Sequence, residues 1–123
     1  MRNLWGSSEN RSTPWGKGHT TETFAPGFSN VSTPGHGGFM VSKSFAAQHL
    51  SPECIAAGID FGKYVCFEED CDWAMPAYEL PQFWPRIFAY ADAETKADPR
   101  AYLLRTLSAW RAEYLAARGI KAA

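Results

Sequence analysis

Residues 20–41, TTETFAPGFSNVSTPGHGGFMV, contain short strand-forming segments separated by two turn signals. The strand candidates, which are rich in threonine, phenylalanine and valine or alternate in polarity, are residues 20–24, 28–33 and 39–41. Pro26-Gly27 and the run from Pro34 to Gly38 supply the turns between them. Because short turns join antiparallel neighbours, this stretch predicts a small antiparallel meander.

Two short helices are predicted directly after the meander. Ser42 can cap a segment over residues 43–49. Ser51-Pro52 places a capping serine before a proline at the first helical position, and Gly58 ends that helix.

The middle of the chain is predicted to alternate between strand, helix and turn. Residues 59–67 predict a hairpin-like excursion, with a strand at Tyr64–Phe67. The acidic segment 68–74 is typical of a helix N-terminus, since acids complement the positive end of the helix dipole. Pro76 then either opens a separate element or kinks one helix. Two prolines bracket residues 82–84, which are predicted to form a turn.

Residues 98–119 give the strongest helix pattern. Asp98 can cap this helix, Pro99 occupies its first position and Gly119 ends it. Its apolar stripe consists of Leu103, Leu104, Leu107, Trp110 and Tyr114. The chain of 123 residues is therefore predicted to be one α+β domain. A small antiparallel β-sheet from the N-terminal half packs against C-terminal helices, after an irregular lead-in at residues 1–13.

Composition excludes two broad classes of protein. With 46% hydrophobic and 20% charged residues, the chain has the balance of a folded domain and not of a disordered one. No apolar run approaches the roughly 20 residues that a membrane-spanning helix needs, so no membrane partner is expected. The formal net charge of −1 is unlike the strongly basic domains of general nucleic-acid binders.

Charge is unevenly distributed along the chain. Residues 52–98 carry ten acidic and three basic side chains, whereas residues 99–123 carry one acidic and five basic side chains. Two interpretations stay open. The two segments neutralise each other across the fold, or the acidic segment forms a surface that steers a basic partner.

The cysteines indicate the compartment. Cys54, Cys66 and Cys71 are odd in number and contain no CxxC pair, which is typical of reduced thiols in the cytoplasm. The N-terminal residues have no apolar segment of the kind that secretory signals carry.

The first candidate site is the glycine-rich run Gly35-His36-Gly37-Gly38. Glycines allow a tight turn and a close backbone approach, so the His36 side chain could act as a base or a ligand. The backbone N–H groups could also form an anion-binding nest. The alternative is a hairpin turn whose histidine bonds to a carboxylate of Glu69 or Asp70.

The second candidate site is the acidic run Glu68-Glu69-Asp70-Cys71-Asp72. Four acids in five residues could hold a metal ion, or could keep one carboxylate protonated by mutual repulsion. The alternative is that they are exposed acids at the start of a helix.

Two combinations of these residues would carry chemistry if the fold gathered them. Cys71, His36 and Glu69 have the residue types of a nucleophilic triad. His36, Cys66 and Cys71 would make a weak zinc site, since the cysteine spacing is looser than usual. The catalytic candidates are therefore His36, Glu69, Asp70 and Cys71.

Aromatic residues, which make up 15% of the chain, suggest a ring-rich core or interface. Trp15 is expected to dock into the core, since a tryptophan in a loop rarely stays in water. Phe83 and Trp84 are expected to be anchors on a partner surface.

Several of these motifs together resemble an uncharacterised domain family of phage and bacterial mobile-element proteins. The matching segments are Trp15-Gly16, Ala25-Pro26-Gly27, the run from Ser32 to Gly38 leading to Val41-Ser42, and the run from Phe67 to Ala74. The paired HGG and EEDC-x-W-A signatures carry most of the resemblance, which covers residues 14–84 and leaves the C-terminal helix outside. Such domains occur alone or beside antirestriction-type domains. The resemblance implies a context in phages or mobile elements and no particular activity.

The expected function is non-enzymatic binding and inhibition of a host protein complex with a basic surface, such as a restriction or CRISPR complex. The expected contact residues are Gly35, His36, Gly37, Gly38, Glu68, Glu69, Asp70, Asp72, Phe83 and Trp84. One alternative is a small hydrolase or metal-dependent enzyme using His36 with Glu68, Glu69 and Asp70. A second is nucleic-acid contact through the basic C-terminal helix. No cofactor or resident metal is expected.

Overall fold

The computed structural model describes residues 12–18 and 20–123. Ser12–Thr13 (β1) pairs with Gly16–Lys17 (β2) in a short antiparallel hairpin. The predicted irregular lead-in is therefore wrong for residues 12–13, because Thr13 closes this hairpin by donating its hydroxyl to the Gly16 carbonyl at 2.5 Å. Residues 1–11 of the predicted lead-in lie outside the described residues.

The predicted meander is confirmed as one side of a five-stranded antiparallel sheet within the described part of the chain. Its strands are Thr20–Ala25 (β3), Phe28–Ser32 (β4), Gly37–Ser42 (β5), Ile59–Phe61 (β6) and Tyr64–Glu68 (β7). Their order is β3-β4-β5-β7-β6, and every neighbouring pair is antiparallel. The hairpin predicted over residues 59–67 is the β6–β7 pair.

Helices supply the second layer, so the α+β class is confirmed. They are Lys43–His49 (α1), Pro52–Ala57 (α2), Ala74–Glu79 (α3), Trp84–Ile87 (α4), Ala93–Ala97 (α5), Pro99–Trp110 (α6) and Ala112–Arg118 (α7), with a 3₁₀ turn at Pro81–Phe83. The predicted caps are confirmed, since Ser42, Ser51 and Asp98 each accept a backbone N–H three residues on at 3.1 Å. Gly119 ends α7 in the left-handed conformation.

The acidic segment does not start a helix, which corrects the prediction for residues 68–74. Glu68 is the last residue of β7, and the next residues form turns before α3 begins at Ala74. The Trp73 backbone N–H donates to the Glu68 carbonyl at 2.9 Å. Pro76 falls in the first turn of α3, where a backbone N–H needs no partner within the helix, so it causes neither a break nor a kink.

The segment between residues 82 and 97 is more helical than predicted. In place of a turn at residues 82–84, the chain forms the 3₁₀ turn and α4. The helix α5 was not predicted, although Asp92 caps it by accepting the Thr95 N–H at 2.8 Å. Two features of the sequence indicated this helix: Asp92 is a favourable N-cap residue, and Glu94 places an acid in the first turn.

The predicted single helix over residues 98–119 is broken at Arg111. That residue leaves the helical conformation, and its guanidinium forms an ion pair with Asp72. Leu107 and Tyr114 are buried as predicted, but Trp110 falls at the break and is 67% exposed. The apolar periodicity of the sequence predicts that the helix continues past Trp110. The helix instead ends at Arg111, which contacts Asp72 from a distant part of the chain.

The main core lies between one face of the sheet and the helices. It includes Phe28, Phe39 and Phe67 from the strands and Leu103 and Leu107 from α6. The opposite face of the sheet buries a small cluster of Val31, Met40 and Cys66. Trp15 packs on this second cluster, so the expectation that it joins the core holds for the minor apolar cluster and not for the main one.

A buried carboxylate holds the last helix to the rest of the fold, and we call this group the Glu79 clamp. The Glu79 carboxylate accepts the backbone N–H and the hydroxyl of Ser51, each at 2.7 Å. It also accepts hydrogen bonds from Tyr114 and Arg118 of α7. The clamp therefore joins α3, α7 and the start of α2.

No helix among residues 12–18 and 20–123 has the length and apolar character that crossing a bilayer requires.

Candidate functional site

The glycine-rich turn places His36 in solvent. Thr33 closes the turn, because its N–H donates to the His36 carbonyl at 2.6 Å and its hydroxyl accepts the His36 N–H at 3.0 Å. The imidazole has no hydrogen-bond partner among the described residues, so the expected bond to Glu69 or Asp70 is absent from that part of the chain. The turn is built by backbone and threonine contacts, and Gly35 is exposed with open space beside it.

Gly37 and Gly38 are buried for a steric reason. A Cβ on Gly37 would lie 2.5 Å from the Val31 carbonyl oxygen. A Cβ on Gly38 would overlap the Phe67 carbonyl and come within 2.9 Å of the Trp15 ring. These two glycines therefore allow β5 to approach its neighbours and the tryptophan, which is a structural role.

The two signature segments meet across the β5–β7 pair. Gly38 pairs with Glu68, and the Glu69 N–H donates to the Gly37 carbonyl at 2.9 Å. The Trp73 ring packs edge-on against Phe39 with centroids 6.1 Å apart. The expected contact between the two segments therefore exists, but backbone groups and rings make it in place of the histidine.

The acidic run does not act as one group. Glu68 is half-buried at the end of β7, while Glu69 and Asp70 are exposed. Asp72 is paired with Arg111 of the α6–α7 junction, whose Nε donates to it at 2.6 Å. Together with the pair between Glu79 and Arg118, this contact confirms partial neutralisation between the acidic middle and the basic tail.

The proposed thiol chemistry finds no support in the geometry. Cys66 is buried on the second face of the sheet, whereas Cys71 lies in the acidic turn and His36 is exposed. Burial raises the pKa of the Cys71 thiol above its ordinary value, which is the reverse of activation. Across the described ranges, no group of three or more His, Cys, Asp or Glu side chains is gathered so that it could hold a metal ion.

Phe83 and Trp84, which were expected to anchor a partner surface, each make contacts within the fold. Phe83 packs edge-on against Phe28 with centroids 5.3 Å apart. The Trp84 indole N–H donates to the Ala77 carbonyl at 2.8 Å, and the Arg100 guanidinium covers its ring at 5.1 Å. Both side chains are half-buried against the main core.

Fourteen residues line a cleft of about 490 Å³ on the helical side of the sheet. Strands β3, β4 and β5, the acidic turn and helices α4 to α6 all contribute to it. Its lining residues are Glu22, Phe24, Asn30, Gly38, Phe39, Glu69, Trp73, Ile87, Phe88, Tyr90, Ala91, Asp92, Thr95 and Tyr102. This volume lies in the range of ligand pockets, and we call this feature the acidic cleft.

Aromatic rings form the floor of the acidic cleft. Phe39 and Phe88 are buried, and Phe24, Trp73 and Tyr102 are half-buried. Trp73 lies at the centre of this group, 6.0 Å from Phe88 and 6.4 Å from Tyr102 between ring centroids. The Trp73 and Tyr102 rings are inclined by only 32° to each other. The floor is therefore aromatic, and the quadrupoles of aromatic rings attract cations that lie over their faces.

Carboxylates and one phenol form the rim. Glu22, Glu69 and Asp92 are exposed, and Tyr90 is 99% exposed. Arg86 forms an ion pair with Glu22, with 3.5 Å between a guanidinium nitrogen and the carboxylate. Its guanidinium carbon lies 5.1 Å from the centroid of the Phe24 ring. The hydrogen bond from the Thr95 N–H lowers the pKa of Asp92 below its ordinary value, because it stabilises the charged carboxylate.

The sequence analysis singled out Gly38 and Glu69 as contact residues but missed the other residues that line the acidic cleft. Its residues come from positions 22 to 102, so no local motif contains them. Tyr90 stands alone between alanines and fits no periodic stripe, and that isolation was the only signal for an exposed ring. Trp110 was assigned to the buried stripe and is instead a second large exposed aromatic side chain.

Comparison of the sequence with known proteins identifies a family to which no activity is assigned. The family model described as "Domain of unknown function (DUF7007)" matches residues 8–121. This range includes the C-terminal helices, which the resemblance over residues 14–84 left outside. Neither the curated proteins nor the solved structures gave a match. Because one family model covers nearly all of the sequence, the chain belongs to the DUF7007 family, an uncharacterised domain family.

Proposed function

We propose that this chain is a non-enzymatic binding protein that engages a basic surface on a partner protein through the acidic cleft. The carrying observation is the cleft itself, with an aromatic floor, three rim carboxylates and a fully exposed Tyr90. Protein interfaces concentrate their binding energy in buried aromatic centres that a polar rim surrounds. An acidic rim favours partners that present Lys or Arg.

The balance of ion pairs supports a basic partner. Asp60, Asp72 and Glu79 are paired with Lys43, Arg111 and Arg118. Other acids of the middle segment have no ion pair among the described residues, and they include Glu68, Glu69, Asp70, Asp92 and Glu94. Internal neutralisation is therefore incomplete, and negative charge remains where the cleft opens.

The local chemistry supports binding over catalysis. A nucleophile needs a base within hydrogen-bonding distance, or a thiol with a lowered pKa. The His36 ring has no such neighbour among the described residues, and burial raises the pKa of Cys71. The Glu79 clamp is a buried side-chain network that joins helices, and none of its members lines the acidic cleft.

The resemblance to phage and mobile-element domains gives this binding role a biological direction. In this proposal the chain acts by occupying a host protein complex, and its target is a host defence complex such as a restriction or CRISPR assembly. The HGG and EEDC-x-W-A signatures hold the fold in this proposal. Cys54, Cys66 and Cys71 are thiols and not disulfides, which fits action in the host cytoplasm.

The test is capture from a bacterial lysate treated with nuclease, followed by mass spectrometry. Wild type is compared with Tyr90→Ala and with the double variant E69Q/D92N, in which asparagine preserves the cap of α5. The matched control E53Q/E113Q removes two exposed acids from the first turns of α2 and α7. The control therefore changes the net charge by the same amount away from the cleft.

Wild type and control should retain the same host protein complex, both cleft variants should lose most of it, and the wild type should inhibit the activity of that complex. Equal recovery by all four proteins would contradict a role for the cleft. Recovery of nuclease-sensitive material alone would point instead to nucleic-acid contact through the basic C-terminal helices.

A further inference from the structure

We infer that the acidic cleft is an arginine-recognition site, which takes the guanidinium of one arginine side chain of the partner. This inference rests on the proposed function and adds the chemical class of the group that enters the cleft. It depends on three features: the aromatic floor, the rim carboxylates that have no ion pair among the described residues, and the way the chain's own arginines lie over aromatic rings.

The floor suits a flat cation. Trp73 and Tyr102 are half-buried, both line the acidic cleft, and their rings are inclined by 32°. Edge contacts with Phe39 and Phe88 fix the Trp73 ring in place. Rings that are already fixed lose little conformational entropy when a ligand binds, and a guanidinium is planar and weakly hydrated, so it can lie flat on an aromatic ring.

Two of the three rim carboxylates, Glu69 and Asp92, have no ion pair among the described residues. Arg86 already faces Glu22, and it donates to the Thr23 carbonyl at 2.9 Å and the Phe24 carbonyl at 3.1 Å. Glu69 receives no side-chain hydrogen bond from any described residue. Asp92 accepts hydrogen bonds from the backbone N–H and the side chain of Thr95, but it is exposed and has no ion pair among the described residues. An entering cation is therefore expected to pair with Glu69 and Asp92.

The chain uses the same recognition geometry twice with its own arginines. Arg86 lies 5.1 Å above the Phe24 ring, and Arg100 lies 5.1 Å above Trp84 and 5.5 Å above Tyr78. Both guanidinium groups therefore rest on ring faces at the border of the helical layer. Lysine is a strongly hydrated point charge and gains less from such faces than a guanidinium, which also bonds carboxylates in bidentate fashion.

The test uses three capped tripeptides, acetyl-Gly-Xaa-Gly-amide, in which Xaa is arginine, lysine or citrulline. Citrulline keeps the size and planarity of arginine and removes its charge. Each peptide is titrated into the full ¹⁵N-labelled chain, and the backbone amides of Glu69, Tyr90 and Asp92 and the Trp73 indole N–H report binding. The variants E69Q/D92N and E53Q/E113Q are titrated in the same way.

The arginine peptide should give saturable shifts at these four positions. Its Kd should rise about tenfold or more in E69Q/D92N and stay within about twofold in E53Q/E113Q. Citrulline should bind about tenfold or more weakly than arginine, and lysine should bind several-fold more weakly.

The inference is overturned if the arginine peptide gives no saturable shift at these positions, or if citrulline or lysine binds as tightly. These failures are distinguishable from failure of the proposed function. Cleft-dependent capture of a host complex without arginine binding would remove the inference alone. Arginine binding without a captured and inhibited complex would remove the proposed function and keep the site.

Discussion

Replacing Arg118 by methionine tests whether the Glu79 clamp holds the C-terminal helix to the domain. Methionine keeps much of the apolar stem and removes the guanidinium. The Glu79 side chain is only 7% exposed, so its charge stays buried in the variant, while Arg118 is 29% exposed. The donors left to the carboxylate are the Ser51 N–H, the Ser51 hydroxyl and the Tyr114 hydroxyl.

The expected loss of stability follows from this partial burial. Removing one partner of a buried ion pair costs about 3–5 kcal/mol. Because three donors remain and Arg118 is partly exposed, we expect the lower end, about 3 kcal/mol. For a domain of this size the melting temperature then falls by about 10 °C. A domain with the usual stability of about 5–15 kcal/mol remains folded.

Urea denaturation followed by circular dichroism measures the effect as a change in midpoint with an unchanged slope. Arg105→Met is the matched control, since Arg105 is exposed on α6 and has no ion pair among the described residues. It should change stability by less than about 0.5 kcal/mol. In the double variant E79Q/R118M the two losses should not add, because the buried charge that Arg118 compensates is gone. Equal effects of R118M and R105M, or additive losses in the double variant, would refute the reasoning.

Three further predictions concern stability and thiol reactivity. Gly38→Ala should lower the free energy of unfolding by more than about 2 kcal/mol, because its Cβ overlaps a backbone carbonyl of the neighbouring strand. Gly35→Ala, with open space around it, should change that energy by less than about 0.5 kcal/mol in the same urea titration. Cys71 should be the one thiol of the three that reacts rapidly with a disulfide reagent in the native protein, since the other two are fully buried, and all three should react in denaturant. Burial raises the pKa of Tyr114, so the unfolded chain releases this proton first, near its ordinary pKa of about 10. Wild type should therefore lose stability more steeply than Tyr114→Phe as pH rises above about 10, and parallel urea-denaturation curves from pH 9 upward would contradict this.

The parts of the fold that the sequence predicted correctly are those that local chemistry decides. Pro26-Gly27 marks the β3–β4 turn, and the alternation after it gives β4. Ser42, Ser51 and Asp98 cap helices through side-chain oxygens that reach backbone N–H groups three residues on. Each of these signals is complete within a few residues, so no knowledge of the tertiary structure is needed to interpret it.

The wrong predictions concern elements whose ends are set by contacts with residues that are distant in the sequence. Acids at residues 68–72 are typical of a helix start, but β7 continues through Glu68 because it pairs with Gly38 of β5. The apolar stripe of α6 extends past Trp110 in the sequence, yet the helix ends where Arg111 meets Asp72. The acidic cleft was unpredictable for the same reason.

The sheet places the two signature segments side by side, on the neighbouring strands β5 and β7. The tight turn before Gly37 brings β5 beside β7, and the glycines admit the close approach that a side chain would block. The Gly37 carbonyl then fixes the backbone of Glu69 at 2.9 Å, and the Asp72–Arg111 pair fixes the far end of the acidic turn. Held at both ends, the turn carries the Glu69 carboxylate to the rim of the acidic cleft. The glycine segment therefore contributes to the candidate site by positioning that carboxylate through the backbone, and the exposed His36 ring takes no part in the positioning.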